Sequence, residues 1–158
     1  MGFDIYAMNP QTDKPEPPQP SMTGSKDGGM WSDKEREQWK KYEEWREEAG
    51  AYFRNNVWWW RPLWRFVTGT CDDILTEKDR NAGEFNDGHH ISDKKAKAIA
   101  ERLFEMLDNG HVKEYEKLYR EHIESLADGS WDKSYPFNID NVRAFAKFCS
   151  KCGGFEIC

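Results

Sequence analysis

Three amphipathic segments in the second half of the chain most constrain its fold. Between Ser92 and Cys152, apolar residues recur at helical spacing over residues 93–108, 112–127 and 139–152. Asn109-Gly110 separates the first two segments, and so short a connection predicts an antiparallel helical hairpin. The face of the second helix that we expect to be buried comprises Tyr115, Leu118, Tyr119, His122, Ile123 and Leu126. Each apolar face needs a partner, so the pattern predicts a mostly helical protein.

The two ends of the chain have the alternation that is typical of strands. Phe3, Ile5 and Ala7 are each followed or preceded by a more polar residue, and residues 155–158 alternate after a Gly-Gly break. We expect these ends to pair in a small sheet. The predicted fold is α+β and mostly helical, with about five helices around a two-stranded or slightly larger sheet, in one domain over residues 1–158.

An insertion is predicted near the N-terminus. Residues 9–30 are rich in Pro, Gly, Ser and Thr, which favours a long loop. Ser32 and Glu35 then form a capping box that predicts a charged helix over about residues 33–48. Trp39, Tyr42 and Trp45 fall on one stripe of this helix. The stripe either packs the helix against the protein or belongs to a protruding arm that grips a partner.

Composition and motifs exclude several classes of function. The 158 residues carry a net charge of −6, and this acidic balance argues against general nucleic-acid binding. No apolar run reaches the length of a membrane span, and the N-terminus lacks a secretory signal, so we expect a cytoplasmic protein. A Gly-x-Ser-x-Gly elbow and a Gly-rich phosphate loop are both absent, which argues against the common hydrolases and NTPases.

Cys149 and Cys152 have the spacing of half a zinc site or of a redox pair. The second half of such a site is missing from the sequence, since the other two cysteines stand alone. We therefore expect a helix whose Cys149 faces the core, with no metal and no cofactor.

A tryptophan run over residues 54–66 contains four tryptophans, three arginines and two asparagines. Adjacent residues of a regular element face different ways, so at least one indole should point away from the core. Pro62 predicts a helix from that residue to about Cys71, after an extended segment over residues 52–60.

Two interpretations of the tryptophan run remain open. In the first, Trp58, Trp60 and Trp64 are core and Arg61 neutralises Asp72 or Asp73. In the second, the run stacks a planar ligand or anchors a partner, because indoles offer flat faces and arginines a fixed fork of donors. The residues predicted for such a site are Arg54, Asn55, Asn56, Trp59 and Arg61.

A second candidate site follows the turn signal at residues 86–88. An aspartate near a histidine can orient the imidazole for acid/base work or for metal binding, and Asp87 precedes His89 and His90. Solvated histidines in a loop are the alternative. We include Asp87 and His89 among the predicted partner-binding residues, and predict that Thr76 caps a short helix just before this loop.

Four segments resemble a group of small proteins from bacteriophage and environmental sequences. They are residues 2–6, 52–64, 86–88 and 153–158, and the resemblance covers most of the chain outside about residues 11–49. It implies a viral or mobile-element setting, in which small accessory proteins bind a host factor, a defence protein or a signalling nucleotide. The leading hypothesis is therefore a non-enzymatic binding protein in the host cytoplasm. The alternatives are a metal-assisted hydrolase that uses Asp87, His89 and His90, and a structural phage component.

Overall fold

A computed structural model describes residues 2–20 and 31–158. These residues form an α+β fold that is mostly helical, as the periodicity predicts. The strands are β1 (Gly2–Ala7), β2 (Tyr52–Asn56), β3 (His89–Ile91) and β4 (Phe155–Ile157). The helices are α1 (Asp33–Ala49), α2 (Val57–Thr70), α3 (Glu77–Ala82), α4 (Asp93–Asp108), α5 (His111–Ser125) and α6 (Ile139–Lys151), with a 3-10 turn at Trp131–Ser134.

The four strands form one antiparallel sheet in the order β2-β1-β4-β3. The N-terminal strand β1 lies between β2 and the C-terminal strand β4, so the predicted pairing of the two ends is confirmed. Ile5 is the centre of this register, opposite Phe53 on one side and Ile157 on the other. The expectation of a loop at His89 and His90 is wrong, because both residues belong to β3. Three residues are too few for alternation to be visible in the sequence.

One face of the sheet packs against α2 and α6, α4 packs on α6, and the core lies between these elements. Phe3 and Ile5 point into the core, and their neighbours Asp4 and Tyr6 point to the outer face. The largest fully buried side chains are Trp60, Trp64, Phe145, Phe155, Ile5, Leu63, Ile91, Ile99, Leu103, Ile157, Val67 and Val112.

Helix α2 begins at Val57, five residues before the predicted start at Pro62. Asn56 caps it, because its side-chain oxygen accepts the backbone N–H of Trp59 at 3.1 Å. Pro62 lies inside the helix, where its missing N–H leaves the carbonyl of Trp58 without the usual helical donor. Burial of the aromatic face of α2 offsets that cost, so tertiary packing overrides the boundary that proline predicts.

The buried face predicted for α5 is too wide. Leu118 is 56 % exposed and His122 is exposed as well, whereas Val112 is fully buried. Helix α5 packs on α4 and on the 3-10 turn, at the margin of the core. The helical period is therefore correct, but a helix at the margin buries a narrower stripe than the sequence suggests.

The predicted loop over residues 9–30 is confirmed in the part that the structure describes. Residues 9–20 have no helix or strand, and the segment 21–30 of the predicted loop lies outside the described residues. Ser32 caps α1 through its hydroxyl, which accepts the N–H of Glu35, while the Glu35 carboxylate accepts the N–H of Ser32 at 2.8 Å. Within the described ranges, no helix is long and apolar enough to cross a membrane.

Candidate functional site

Two of the tryptophans of α2 belong to the core. Trp60 and Trp64 are fully buried and stacked, with ring centroids 5.3 Å apart. Their indole N–H groups donate to the carbonyls of Gly83 (2.7 Å) and Arg80 (3.0 Å) at the end of α3. Both donors are thereby satisfied, which makes burial of the indoles favourable. The core interpretation of the tryptophan run is correct for these two residues.

Trp58 points away from the core and packs on the segment around the 3-10 turn. Its ring lies nearly parallel to that of Trp131, at an interplanar angle of 9° and a centroid distance of 6.4 Å. It also contacts Tyr135 at a centroid distance of 4.9 Å. Trp131 itself is 78 % exposed. Trp58 is therefore an indole of the tryptophan run that supports a second, protruding indole at the surface.

Arg61 joins the same surface. Its Nη1 atom donates to the hydroxyl of Tyr135 at 3.1 Å. The Nε atom of Arg61 is buried and has no hydrogen-bond partner among the described residues. We call Trp58, Arg61, Trp131 and Tyr135 the aromatic patch. The hydroxyl of Tyr119 donates to the carbonyl of Tyr135 at 2.8 Å and so fixes the patch to α5.

The carboxylates proposed as partners of Arg61 are engaged or placed elsewhere. Asp73 forms a two-point ion pair with Arg102, at 2.8 and 3.0 Å, and Asp72 is exposed. Arg61 therefore does not neutralise Asp72 or Asp73, and this part of the core interpretation is wrong.

The other residues predicted from the run do not converge with Arg61. Arg54 lies on the outer face of the sheet, opposite Asp4 and 3.4 Å from its carboxylate. Asn55 lies on the inner face, where its amide donates to Asn141 at 3.1 Å. Asn56 is the cap of α2, and Trp59 is half-buried. The alternation of β2 sends Arg54 and Asn55 to opposite faces, and this explains why the five residues do not form one site.

His89 is paired with a different aspartate from the one that sequence proximity suggests. Its Nε2 atom lies 2.9 Å from Oδ1 of Asp79, in α3, whereas Asp87 is exposed. Asp79 is the one buried charged residue among those described, at 4 % exposure. Its second oxygen, Oδ2, accepts hydrogen bonds from Lys95 and from the backbone and hydroxyl of Thr76. We call Asp79, His89 and Lys95 the buried triad.

Competing effects act on the Asp79 carboxyl. Burial raises the pKa of Asp79, but the hydrogen bonds from Lys95, His89 and Thr76 together lower it by more. The net pKa of Asp79 therefore lies well below its ordinary value, and the carboxylate is charged at neutral pH. Three elements, α3, β3 and α4, meet at this charge. The triad orients the His89 ring. It also fixes α3 to β3 and α4.

His90 points to the outer face of the sheet, as alternation requires. Its Nε2 atom lies 3.3 Å from the carboxylate of Glu156; His90 is exposed and Glu156 is partly exposed. The sequence misses the Asp79–His89 contact because ten residues separate the two. The capping pair of Thr76 and Asp79 is visible in the sequence, but nothing local indicates that the capping carboxylate also faces β3.

The cysteines of α6 are buried thiols. Burial raises the pKa of Cys149 well above its ordinary value and that of Cys152 to about 11. The side chain of Cys152 contacts the carbonyl of Cys149 at 3.5 Å. In the described part of the chain, no group of three or more His, Cys, Asp or Glu side chains could hold a metal ion.

Trp131 and Tyr135 are surface residues that the sequence analysis did not select. The available signal is a tryptophan and a tyrosine within a short Gly/Ser/Pro-containing connection, where no amphipathic period requires an apolar side chain. No family model, curated protein or solved structure matches this chain. The aromatic patch is therefore the basis of the function proposed below.

Proposed function

We propose that this is a non-enzymatic binding protein that engages a host or defence protein through the aromatic patch. The observation that carries the proposal is the 78 % exposure of Trp131, which is stacked on Trp58. A large indole in water forgoes the free energy that its burial would release. A partner that covers Trp131 would gain that free energy.

The composition of the patch supports a protein partner. Tryptophan, tyrosine and arginine are the residues most enriched where truncation weakens protein–protein binding most. The patch is also held in place, because Tyr135 accepts a hydrogen bond from Arg61 and is fixed through its backbone by Tyr119. Rigid anchors lose little side-chain entropy on binding. A protruding ring suits a pocket on a partner protein better than it suits a nucleotide, which requires a concave site.

The resemblance to bacteriophage and environmental proteins supports the choice of a host or defence component as the partner. A small accessory protein in that setting acts in the host cytoplasm by occupying a surface of another protein. The hypothesis of a binding protein therefore requires one accessible surface with anchor residues, and the aromatic patch is such a surface.

The test compares the tagged wild-type chain with Trp131→Ala and Phe85→Ala after expression in a bacterial host. Phe85 is the matched control, because it is an aromatic residue that is 63 % exposed in the turn between α3 and β3. Quantitative mass spectrometry of the purified samples identifies proteins that bind. A photo-crosslinking amino acid in place of the exposed neighbour Asp132, in a chain that keeps Trp131, then identifies which of them contacts the patch.

We expect one host protein to be retained by the wild type and by Phe85→Ala, to be lost from Trp131→Ala, and to crosslink at position 132 when Trp131 is present. Loss of an anchor residue at the centre of an interface costs about 2 kcal/mol or more, which corresponds to a fall in affinity of about thirtyfold. Equal retention by all three chains would overturn the proposal. A small molecule retained in place of a protein would also contradict it and would favour a nucleotide ligand.

A further inference from the structure

Helix α1 carries an aromatic stripe made by Trp39, Tyr42 and Trp45, at spacings of three residues. Trp39 and Tyr42 meet edge to face with ring centroids 6.0 Å apart, and Tyr42 and Trp45 are also 6.0 Å apart. The three rings thus form one continuous surface along the helix. Tyr42 is buried even though most of α1 is exposed, so another part of the chain covers the stripe.

Trp31 stacks on Trp39 with ring centroids 5.6 Å apart, and residues 14–20, which we call the proline segment, contact Tyr42 and Trp45. Four of the six residues from 15 to 20 are proline. Each proline fixes its own φ near −65° and restricts the residue before it to extended geometry. Because Lys14, Glu16, Pro17 and Gln19 each precede a proline, nearly every residue is constrained toward a polyproline II conformation. The segment has neither helix nor strand, and it contains two overlapping Pro-x-x-Pro motifs, at 15–18 and 17–20.

The contacts between the stripe and the proline segment follow the chemistry of polyproline recognition. The indole N–H of Trp45 donates to the backbone carbonyl of Lys14 at 3.3 Å. The hydroxyl of Tyr42 donates to the carboxylate of Glu16 at 3.1 Å. Pro20 is buried. An aromatic groove whose N–H and O–H groups bind an extended, proline-rich chain is the arrangement used by domains that bind such peptides.

A cleft of about 560 Å³ continues from this contact. It lies between the proline segment, the stripe and the outer face of the sheet, where Tyr6 and Arg54 line it. Arg46 of α1 packs over the ring of Tyr52 on the opposite wall, with its guanidinium 3.6 Å from the ring centroid. The groove therefore has room beside the segment that it already holds.

We propose that the aromatic stripe of α1 is a docking groove for a proline-rich peptide of a partner protein, and that the proline segment is its resident ligand in the free chain. The partner peptide has a Pro-x-x-Pro core with an acidic residue at the position of Glu16, since that residue meets Tyr42. The resident segment competes with it as an intramolecular ligand at millimolar effective concentration. This surface is separate from the aromatic patch, and the proposal does not depend on the function of that patch.

The test uses a synthetic peptide with the sequence of residues 12–20 and the full-length chain. The chain variant Glu16→Ala removes the acceptor of the Tyr42 hydroxyl, so it weakens the resident ligand and leaves the three rings of the stripe unchanged. Binding is measured by titration calorimetry against the wild type, Glu16→Ala and a Glu16→Ala, Trp45→Phe double variant. Phenylalanine keeps a ring at position 45 and removes the N–H that binds the carbonyl of Lys14. A peptide with glycine in place of its four prolines is the control ligand.

We expect the peptide to bind Glu16→Ala saturably and about threefold to tenfold more tightly than it binds the wild type, because a weakened resident ligand competes less. The double variant should bind it several-fold more weakly than Glu16→Ala does, and the glycine peptide should not bind. A chain with Pro17→Gly and Pro18→Gly, checked for intact helix content by circular dichroism, should bind the peptide more tightly still. Equal affinities for the wild type and both loosened chains, or equal binding of the glycine peptide, would overturn the proposal.

Discussion

The substitution Asp79→Asn tests how much the buried triad contributes to stability. It keeps the size of the side chain, removes its charge, and places an NH₂ group either where Oδ1 meets His89 or where Oδ2 accepts hydrogen bonds from Lys95 and Thr76. Removing one partner of a buried ion pair costs about 3–5 kcal/mol, because the other charge stays poorly solvated. The side chain of Lys95 is 29 % exposed and recovers part of its hydration. We therefore expect the free energy of unfolding to fall by about 2–4 kcal/mol.

The assay is unfolding in urea, monitored by tryptophan fluorescence. A common slope of unfolding free energy against urea concentration is used only if the chains have the same measured slope. Asp73→Asn is the matched control. It makes the same chemical change at an exposed carboxylate that is paired with Arg102, where solvent screens the interaction. The control should lose much less stability than Asp79→Asn. Equal losses in the two variants would refute the reasoning that burial sets the contribution of Asp79.

The pH dependence gives an independent check with a defined sign. The pKa of Asp79 is lower in the folded chain than the ordinary value of about 3.9, so the unfolded state binds more protons as the pH falls. The contribution of Asp79 is fully present above about pH 5 and is lost progressively as the pH falls below about 4 toward the folded-state pKa. The difference in unfolding free energy between the wild type and Asp79→Asn should therefore narrow in that acidic range. A difference that stays constant down to pH 2 would contradict the assigned role of the charge.

Three further substitutions or measurements test other parts of the structure. Gly83→Ala should destabilise the fold by about 1–3 kcal/mol or more, because its Cβ would stand 2.0 Å from the ring of Trp64; a thermal melt unchanged within error would contradict this. Asn56→Ala should cost about 1 kcal/mol in urea unfolding through loss of the cap of α2, and no change would show that the cap is dispensable. A thiol reagent at neutral pH should label only Cys158 in the folded chain, since the other three cysteines are buried, and the rest should react only after unfolding. Rapid labelling of a second thiol in the folded chain would contradict that placement.

The helices and the terminal strands follow from local sequence. The helical spacing of apolar residues predicts α4, α5 and α6, and the predicted caps at Ser32 and Thr76 both accept a backbone N–H group. Alternation at the two ends predicts the strands that become β1 and β4. These features depend on residues within one or two turns of each other, so a single sequence contains them.

The start of α2 shows where a local rule fails. Pro62 favours a helix start, but Asn56 offers a cap six residues earlier, and burial of Trp60 and Trp64 favours a helix that includes them. The free energy of that burial is larger than the cost of one missing helical hydrogen bond. A boundary that depends on such a competition between local and tertiary terms is not readable from the local sequence.

The candidate sites were decided by tertiary structure. The sequence indicates that at least one indole of the run must point outward. Only the packing of α2 against β1, α3 and α6 buries Trp60 and Trp64 and leaves Trp58 to support Trp131. The sequence likewise places Asp87 close to His89. In the fold, the ring of His89 lies against Asp79 instead, because β3 directs it there. Period and capping are properties of neighbouring residues, and the chain specifies them directly. Contacts between residues that are distant in sequence depend on how whole elements pack, and that is determined only when the complete core forms.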